Sequence, residues 1–395
     1  MKHCVLSQVC EINPARDIPL PESTPISFLP MGSVSTDGHV DLGASIERRR
    51  AGSYTVFRNG DIIFAKITPC MENGKMAIVD NLLNGYGAGS TEFIVLRPNT
   101  DIVSAKWLYL FLSQTPFRLQ CQQHMTGSAG QKRVPPKYLA SCTIPVPSLP
   151  EQNHIVSKIE ELFSELDIGV ETLEKTKQQL AVYRQAVLKV AFEGCETWEK
   201  HVFSDLMQEV RNGYGIKPDD CGNFRILKIS AVRPLYLDIS ESRLNKTAFS
   251  DEETIAENDI LFTRYNGSRE YVGICAVVPK LPETYAYPDK LIRCRPKTNN
   301  TVHSKFLAYY MSQGDARKHL CSKIKTTSGQ NGIAGADIKK TIVYLPDIET
   351  QSRIVTEIES RLSACDSIKK TVDAALQQAE ALRQGILKTA FEGTL

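Results

Sequence analysis

Two long segments of the chain place apolar residues at helical spacing and are almost free of turn residues. The first begins at Pro150 and predicts a helix from about Glu151 to Phe192, and the second follows Pro346. Proline is well placed at the start of a helix, because the N–H that it lacks would have no partner there. Gly194 and Gly393 stand where the two helices are expected to end.

In both segments the apolar residues recur at heptad spacing, which is typical of a coiled coil. At about 1.5 Å per residue each helix should span roughly 60 Å, and a small domain cannot cover a face of that length. We therefore predict that the helices bury each other, with two ordinary core helices in separate domains as the alternative. The predicted seam comprises Ile155, Ile159, Leu162, Leu166, Leu173, Leu180, Tyr183 and Val187 in the first helix and Ile354, Ile358, Ile368, Val372, Leu382 and Ile386 in the second.

The chain also repeats itself, with residue n matching residue n+199 and no gap over the helical segments. Matching positions include Gln152 and Gln351, Arg184 and Arg383, and residues 191–194 and 390–393. Upstream the repeat is weaker, although residues 61–64 still resemble residues 259–262. Such a duplication predicts one fold that occurs twice with different surface residues, and therefore two related binding tasks on different targets.

The segments outside the helices are expected to be mixed α/β domains. Residues 61–67 and 93–96 predict strands, and residues 107–112, matched by residues 306–311, predict an apolar helix. The predicted fold class is α+β (mixed α/β). Two globular domains would be separated by two long antiparallel coiled-coil helices in a pseudo-two-fold internal repeat. The expected segments are residues 1–148, 149–194, 195–346 and 347–395.

The charge distribution is more informative than the net charge of +2. The two globular segments together carry +7 and the two helical segments −5. This alternation suits a protein that touches phosphates with some of its parts only. No run of eighteen apolar residues and no apolar signal segment occurs, and the eleven cysteines form no Cys-x-x-Cys pair. These features predict a cytoplasmic protein with reduced thiols and no membrane contact.

No pattern of residues predicts a catalytic or metal site. The seven histidines are dispersed along the chain, which argues against a metal cluster. A phosphate-binding P-loop would need a glycine five residues before Gly74-Lys75, and Pro69 stands there instead. We therefore expect no catalytic residue and no metal ligand on this chain.

Particular residues at the ends of the long helices carry a family resemblance. They are residues 147–152 and 159–163 at the start of the first helix, and the matching closing segments 184–194 and 383–393. This pattern, present twice in one chain, resembles the conserved regions of type I restriction–modification specificity subunits. The resemblance implies a non-catalytic DNA-binding subunit. Each globular domain would recognise one half of a split target, and the helices would set the distance between the halves.

The resemblance also implies partners and cofactors. Two modification subunits would dock on the chain and supply S-adenosylmethionine and adenine N6 methylation, and restriction subunits would add an ATP-driven motor and nuclease. This chain itself would hold no cofactor and would contact double-stranded DNA. Two alternatives remain open at this point: a self-contained DNA-modifying or DNA-cleaving enzyme, and a coiled-coil protein that bridges other proteins without DNA.

Residues that contact DNA are expected on loops rich in glycine, amides and cations. Arg, Lys, Asn and Gln donate to base edges, and nearby cations contact phosphates. Two such loops, residues 126–133 and 326–331, occupy equivalent places in the two copies. For any single residue the alternative is a solvated surface charge. The predicted DNA-binding residues are Arg48, Arg49, Arg50, Lys66, Lys75, Gln131, Lys132 and Arg133 in the first domain and Lys217, Arg264, Asn266, Arg269, Lys323, Lys325, Gln330 and Asn331 in the second.

Overall fold

The computed structural model of the chain divides into two units. It describes residues 2–128, 130–215, 221–246, 248–298, 300–327 and 329–394. Unit 1 comprises Met1–Glu174 and Asp373–Leu395, and unit 2 comprises Lys175–Val372. Each unit therefore contains one globular domain, the earlier part of one long helix and the later part of the other. The finer division into four segments stays a prediction. Within the described parts, no helix is both long and apolar enough to span a membrane.

The two long helices run over Leu149–Ala191 and Ile348–Glu392, close to the predicted bounds. Gly194 and Gly393 follow them with φ of +75° and +79°. This left-handed conformation suits glycine, which has no Cβ to clash, and ends the helix. The shorter helices are Leu6–Val9, Ala105–Leu112, Thr115–Gln123 and Pro136–Ser141 in unit 1 and Ser304–Met311, Gly314–Lys323 and Gly335–Lys339 in unit 2.

Unit 1 contains two four-stranded sheets and one antiparallel strand pair. The central sheet has the strand order Cys10–Ile12, Phe93–Pro98, Ile62–Ala65 and Met76–Ile78. The second sheet has the order Ser45–Glu47, Pro25–Leu29, Tyr86–Gly89 and Thr55–Arg58, and its middle two strands are parallel. The separate pair is Lys2–Val5 with Thr143–Val146.

Unit 2 repeats this topology. Its central sheet has the order Met207–Asn212, Leu291–Pro296, Ile260–Thr263 and Cys275–Val277. Its second sheet has the order Ser242–Asn245, Phe224–Leu227 and Tyr285–Ala286, again with one parallel pairing. Further strands form the pairs Glu199–Val202 with Ile342–Leu345 and Val232–Arg233 with Tyr236–Leu237, and the three-stranded sheet Tyr265–Asn266, Gln330–Gly332 and Lys325–Thr327.

The central strands are buried on both faces, which explains their continuous apolar sequence. Successive residues of a strand point to opposite faces of the sheet. Ile62 and Phe64 accordingly pack in the core that contains the helix Ala105–Leu112, and Ile63 and Ala65 pack against the second sheet. Unit 2 shows the same alternation along Ile260–Thr263. The predicted fold class, mixed helices and sheets in two repeated domains with long antiparallel helices, is confirmed.

The ends of both long helices complete each globular core. In unit 1, Phe391 from the end of the second helix packs on Trp107 with the ring centroids 4.5 Å apart. Ile155 and Ile159 from the start of the first helix join the same core. In unit 2, Phe192 and Phe306 make the matching contact with the centroids 5.2 Å apart, and residues of both helices join that core. The matched residues of the sequence repeat therefore pack in the same way in both units.

A buried glutamine fixes the start of each long helix. Gln152 is fully buried; its Nε2 donates to the carbonyl oxygens of Ile102 and Pro147, both at 2.9 Å, and its Oε1 accepts from the Ser104 amide at 3.0 Å. Gln351 makes the same three bonds in unit 2, to the carbonyls of Thr301 and Pro346 and from the amide of His303. Buried backbone groups are costly without partners, so each glutamine ties its helix to the domain.

Burial along the helices departs from the predicted seam at three positions. The structure buries or half-buries Ile155, Ile159, Leu162, Leu166, Leu173, Leu180, Val187, Ile354, Ile358, Val372 and Ile386. Tyr183, Ile368 and Leu382 are 45%, 47% and 52% exposed, so their prediction as buried seam residues is wrong. The cause is geometric: a straight helix with 3.6 residues per turn drifts about 20° per heptad from a strict seven-residue repeat.

The neighbours of these exposed residues show the drift. Arg383, which follows Leu382, forms an ion pair with Asp167 and lies 4.4 Å from the centroid of the Phe163 ring in unit 1. Arg184, which follows Tyr183, pairs with Asp366 in unit 2. Each contact joins the later part of one helix to the earlier part of the other. The helices therefore run antiparallel within each unit.

We predict that Gln152→Ala lowers the free energy of unfolding by about 2–4 kcal/mol. The substitution leaves one buried amide and two carbonyls without their partner, and each such group costs about 1–3 kcal/mol, although these costs are not additive. Urea unfolding followed by circular dichroism measures the change. Gln178→Ala, at an exposed position of the same helix, is the control and should change stability by less than about 0.5 kcal/mol. Equal effects of the two substitutions would contradict the anchoring role of Gln152.

Candidate DNA interface

In unit 1, the backbone holds the glycine-rich loop of residues 126–133 against the end of a central strand. The amides of Thr126 and Arg133 donate to each other's carbonyls at 3.0 and 2.8 Å, which closes the loop. The Val134 amide donates to the Lys66 carbonyl at 2.8 Å, and the Thr68 amide donates to the Lys132 carbonyl at 3.0 Å. These bonds bring Lys66, Lys132 and Arg133 close together, and their role in DNA binding stays a prediction.

The loop of unit 2 is held by the same backbone contacts. Lys325 and Gly332 are paired in the register of Thr126 and Arg133, 199 residues later. The Ile333 amide donates to the Arg264 carbonyl at 3.0 Å, and Asn266 lies opposite Asn331. Unit 2 thus gathers five of its predicted DNA-binding residues, namely Arg264, Asn266, Lys325, Gln330 and Asn331, on one three-stranded sheet or next to it.

Arg133 of the unit 1 loop and the neighbouring Lys66 are bound to groups of their own domain. Both ends of the Arg133 guanidinium contact the Glu92 carboxylate, with Nε and Nη2 at 2.9 and 2.8 Å from its oxygens. This bond holds the pKa of Glu92 below its usual range and raises the pKa of Arg133. Lys66 Nζ donates to the Thr91 carbonyl at 2.7 Å. These bonds fix the side chains of Arg133 and Lys66, and Glu92 offsets the positive charge of Arg133.

At the matched positions of unit 2 the side chains differ. Lys290 stands where unit 1 has Glu92, and Arg264 stands where it has Lys66. The Lys66 amide donates to the Glu92 carbonyl at 2.9 Å, and the same bond recurs 198 residues later from the Arg264 amide to the Lys290 carbonyl at 2.8 Å. The Arg264 guanidinium lies 4.7 Å from the centroid of the Tyr265 ring, and its Nη1 donates to the Asp289 carbonyl at 3.3 Å. Within the described residues, no carboxylate forms an ion pair with Arg264. The two domains therefore share the same backbone hydrogen bonds here but carry side chains of different charge.

The polar side chains around Arg264 bond mainly to their own sheet. Asn331 Nδ2 donates to the Gly267 carbonyl at 2.9 Å, and its Oδ1 accepts from the Thr326 hydroxyl at 2.8 Å. Asn266 Oδ1 accepts from the Ser268 amide at 3.0 Å. Gln330 and Lys325, by contrast, have exposed side chains. The two asparagines thus stabilise the sheet, Asn331 through both atoms of its amide and Asn266 through its Oδ1.

The remaining predicted residues lie elsewhere or outside the described residues. Arg48–Arg50 belong to a short 3₁₀ segment that follows the edge strand of the second sheet in unit 1, and Arg49 pairs with Glu47 at 2.5 Å. Lys75 Nζ donates to the Met31 carbonyl at 3.2 Å. In unit 2, Arg269 donates to the Cys321 carbonyl, Lys323 is exposed at the end of a helix, and Lys217 falls outside the described residues.

Three residues of these sites were missed by the sequence analysis: Glu92, Lys290 and Tyr265. Glu92 lies 41 residues from Arg133 in the chain, and no local pattern indicates that they pair. A signal for the other two was present. Extending the alignment at an offset of 198 residues places Lys290 on Glu92 and Tyr265 on Ile67, which marks both as points of divergence between the copies.

The described residues contain no group of three or more His, Cys, Asp or Glu side chains that could hold a metal ion. The buried carboxylates of Asp61 and Asp259 each form an ion pair with an arginine of the same domain. Asp61 accepts two bonds from Arg97 at 2.8 Å each and one from the Arg58 amide, and Asp259 makes the matching bonds with Arg295. These two carboxylates therefore stabilise the fold of their domains.

Comparison with known proteins identifies the family. The sequence family described as the type I restriction modification DNA specificity domain matches residues 43–179 and 210–378. The EcoKI specificity subunit of Escherichia coli strain K12 is 35% identical over 323 residues, which cover 76% of this chain and 68% of that subunit. The StySPI specificity subunit of Salmonella potsdam is 29% identical over 314 residues, 76% of this chain and 67% of its own length.

Solved structures support the same fold. A chain from a study of complex assembly and conformational transition in the type I R-M system matches with a TM-score of 0.78 at 19% identity, over 100% of this chain and 98% of that one. The crystal structure of the HsdS subunit from Thermoanaerobacter tengcongensis matches with a TM-score of 0.60 at 20% identity, over 100% and 97%. At these identities the likeness concerns the fold alone.

The family match covers most of each globular domain and much of each long helix, so the resemblance is not confined to the helix ends. The chain matches specificity subunits, which are non-catalytic because other subunits of type I enzymes carry methylation and cleavage; this decides against a self-contained enzyme. The chain belongs to the family of type I restriction–modification DNA-specificity subunits, which are non-catalytic and act in a complex with DNA and other subunits of the system.

Proposed function

We propose that the protein recognises a two-part sequence in double-stranded DNA, one half with each globular domain, and that the long helices set the spacing of the halves. The observation that carries this proposal is the pair of matched loops. The same backbone pairing joins Thr126 to Arg133 in one domain and Lys325 to Gly332 in the other, while the side chains differ. A shared frame with different donors suits two half-sites of different sequence.

The proposed partners follow from this role. Two modification subunits dock on the chain and bring S-adenosylmethionine to the target adenines, and restriction subunits add an ATP-driven motor and nuclease. The chain itself holds neither cofactor. Several apolar residues of the long helices are exposed. They support such docking, because a helix face that contacts only solvent is usually polar. They are Ile168, Val182, Tyr183 and Val190 on the first helix and Ile368 and Leu382 on the second.

Exchange of one domain tests the division of the target. We predict that replacing residues 1–148 with the matching block of a family member changes one half of the methylated sequence and leaves the other half and the spacing intact. The donor block must supply the carbonyls that Gln152 binds, at the positions of Ile102 and Pro147. Methylated adenines mapped across a genome report the outcome. A swap that alters both halves at once would contradict independent recognition.

The arginine triplet tests phosphate contact. We predict that replacing Arg48, Arg49 and Arg50 together with Ala weakens DNA binding and flattens its salt dependence. Each lost phosphate contact should reduce the slope of log K against log salt by about 0.9. The assay is a salt titration of the assembled methyltransferase on its target duplex. Replacement of Lys369 and Lys370, two exposed cations of the second helix, is the control, and an unchanged slope in the triple variant would remove the triplet from the interface.

The exposed helix residues test subunit docking. We predict that the double substitution Ile168→Gln and Val182→Gln lowers affinity for the modification subunits about tenfold or more. The loss of about 1.4 kcal/mol of binding free energy from apolar contacts corresponds to a tenfold loss of affinity. Both side chains are more than 60% exposed, so the unfolding free energy of the chain should change by less than about 0.5 kcal/mol. Calorimetric titration measures the affinity. Glu171→Gln, at another exposed position of that helix, is the control, and unchanged affinity in the double variant would place docking elsewhere.

A further inference from the structure

We propose that Arg264 is a specificity-determining residue of the second domain and that it contacts a guanine in the second half of the target. The inference rests on the proposed function and adds to it a residue, a base and a geometry. Three observations support it: the orientation of the Arg264 guanidinium, the charges around it, and the hydrogen bonds of the neighbouring asparagine side chains.

The orientation of Arg264 is set by its neighbours. Its guanidinium stacks near the Tyr265 ring, with the charged carbon 4.7 Å from the ring centroid. The ring in turn occupies the space beside Gly332, where an added Cβ would lie 2.5 Å from two ring carbons. Glycine at 332 therefore leaves room for the ring, and the ring holds the planar guanidinium. A planar donor fixed in advance loses less conformational freedom when it binds.

The charge of Arg264 is available to a ligand. At the matched loop of the first domain, Arg133 is bonded through two nitrogens to Glu92. In the second domain Lys290 replaces that glutamate, and the one hydrogen bond found for Arg264 within the described residues runs to the Asp289 carbonyl at 3.3 Å. Arg264 Nε is buried without a partner, so a ligand can be reached through the two terminal nitrogens only. Arg264 is therefore a half-buried cation with an incomplete set of partners.

The chemistry of the site favours guanine. Two parallel N–H donors match O6 and N7 of guanine in the major groove, and this is the commonest specific contact of arginine with DNA. Adenine is usually recognised by the amide of Asn or Gln. Here Asn331 is bonded within its own sheet through both atoms of its amide, and Asn266 through its Oδ1. Neither asparagine therefore offers the complete donor and acceptor pair that adenine requires, whereas the Arg264 guanidinium carries the parallel donors that match guanine.

The experiment uses the complete chain assembled with its modification subunits. Arg264→Lys keeps the positive charge and removes the planar pair of donors. We expect a preference for guanine at one position of the second half to fall roughly tenfold or more, while the first half and the spacing persist. Genome-wide mapping of methylated adenines gives the sequence preference, and binding to duplexes that vary one base at a time gives its size. Arg225→Lys is the matched control, since Arg225 pairs with Glu283 on the second sheet of the same domain.

A second pair of variants tests the role of the ring. Tyr265→Leu removes the stacking surface and should relax the same position, whereas Tyr265→Phe keeps the ring and should retain the preference. An Arg264→Lys complex that weakens binding to all sequences equally would make Arg264 a phosphate contact and overturn the inference, and so would an unchanged preference. A wild-type complex that methylates without a two-part sequence would instead overturn the proposed function itself.

Discussion

Each globular domain has a core that its own segment of the chain does not complete. Trp107 of unit 1 packs against Phe391 from the very end of the chain, and Ile386, Leu387 and Ala390 belong to the same buried cluster. In unit 2 the closing residue is Phe192, which contacts Phe306 and Tyr310. An aromatic side chain buries a large apolar area, so its removal from either core would be costly. The long helices are therefore part of the folding unit of each domain as well as connections between segments of the chain.

This constraint explains which features the two copies share. A buried glutamine must find one donor and two acceptors in fixed positions, so Gln152 and Gln351 meet the same three backbone groups. The ion pairs Lys106–Glu160 and Lys305–Glu359 are likewise matched. An exposed loop has no such requirement: once its backbone bonds are made, its side chains can differ without loss of packing. Recognition can thus diverge between the copies while the frame that positions it stays the same.

The sequence predicted what depends on periodicity and on the repeat. The long helices, their glycine stops and the central strands follow from local patterns, and the offset of 199 residues shows that the fold occurs twice. The inward face of the helices was less predictable, since the drift of 3.6 against 3.5 residues per turn exposes Leu382 and turns Arg383 inward. Pairing between Arg133 and Glu92 could not be predicted, because it depends on a tertiary contact. For Tyr265 the sequence repeat shows a divergence between the copies, but the packing of its ring beside Gly332 is a tertiary contact that the sequence does not show.

The small net charge is physically consistent with DNA recognition. Salt-dependent, sequence-independent affinity grows with the number of phosphates neutralised, and a strongly basic protein would bind all DNA tightly. Here several cations near the proposed interface are held by groups of the protein, as Arg133 is by Glu92 and Lys66 by the Thr91 carbonyl. Such bonds fix the direction of a donor while they reduce its general attraction for phosphate. Discrimination between sequences then depends on oriented groups such as the guanidinium of Arg264, which is held by a ring rather than by a carboxylate.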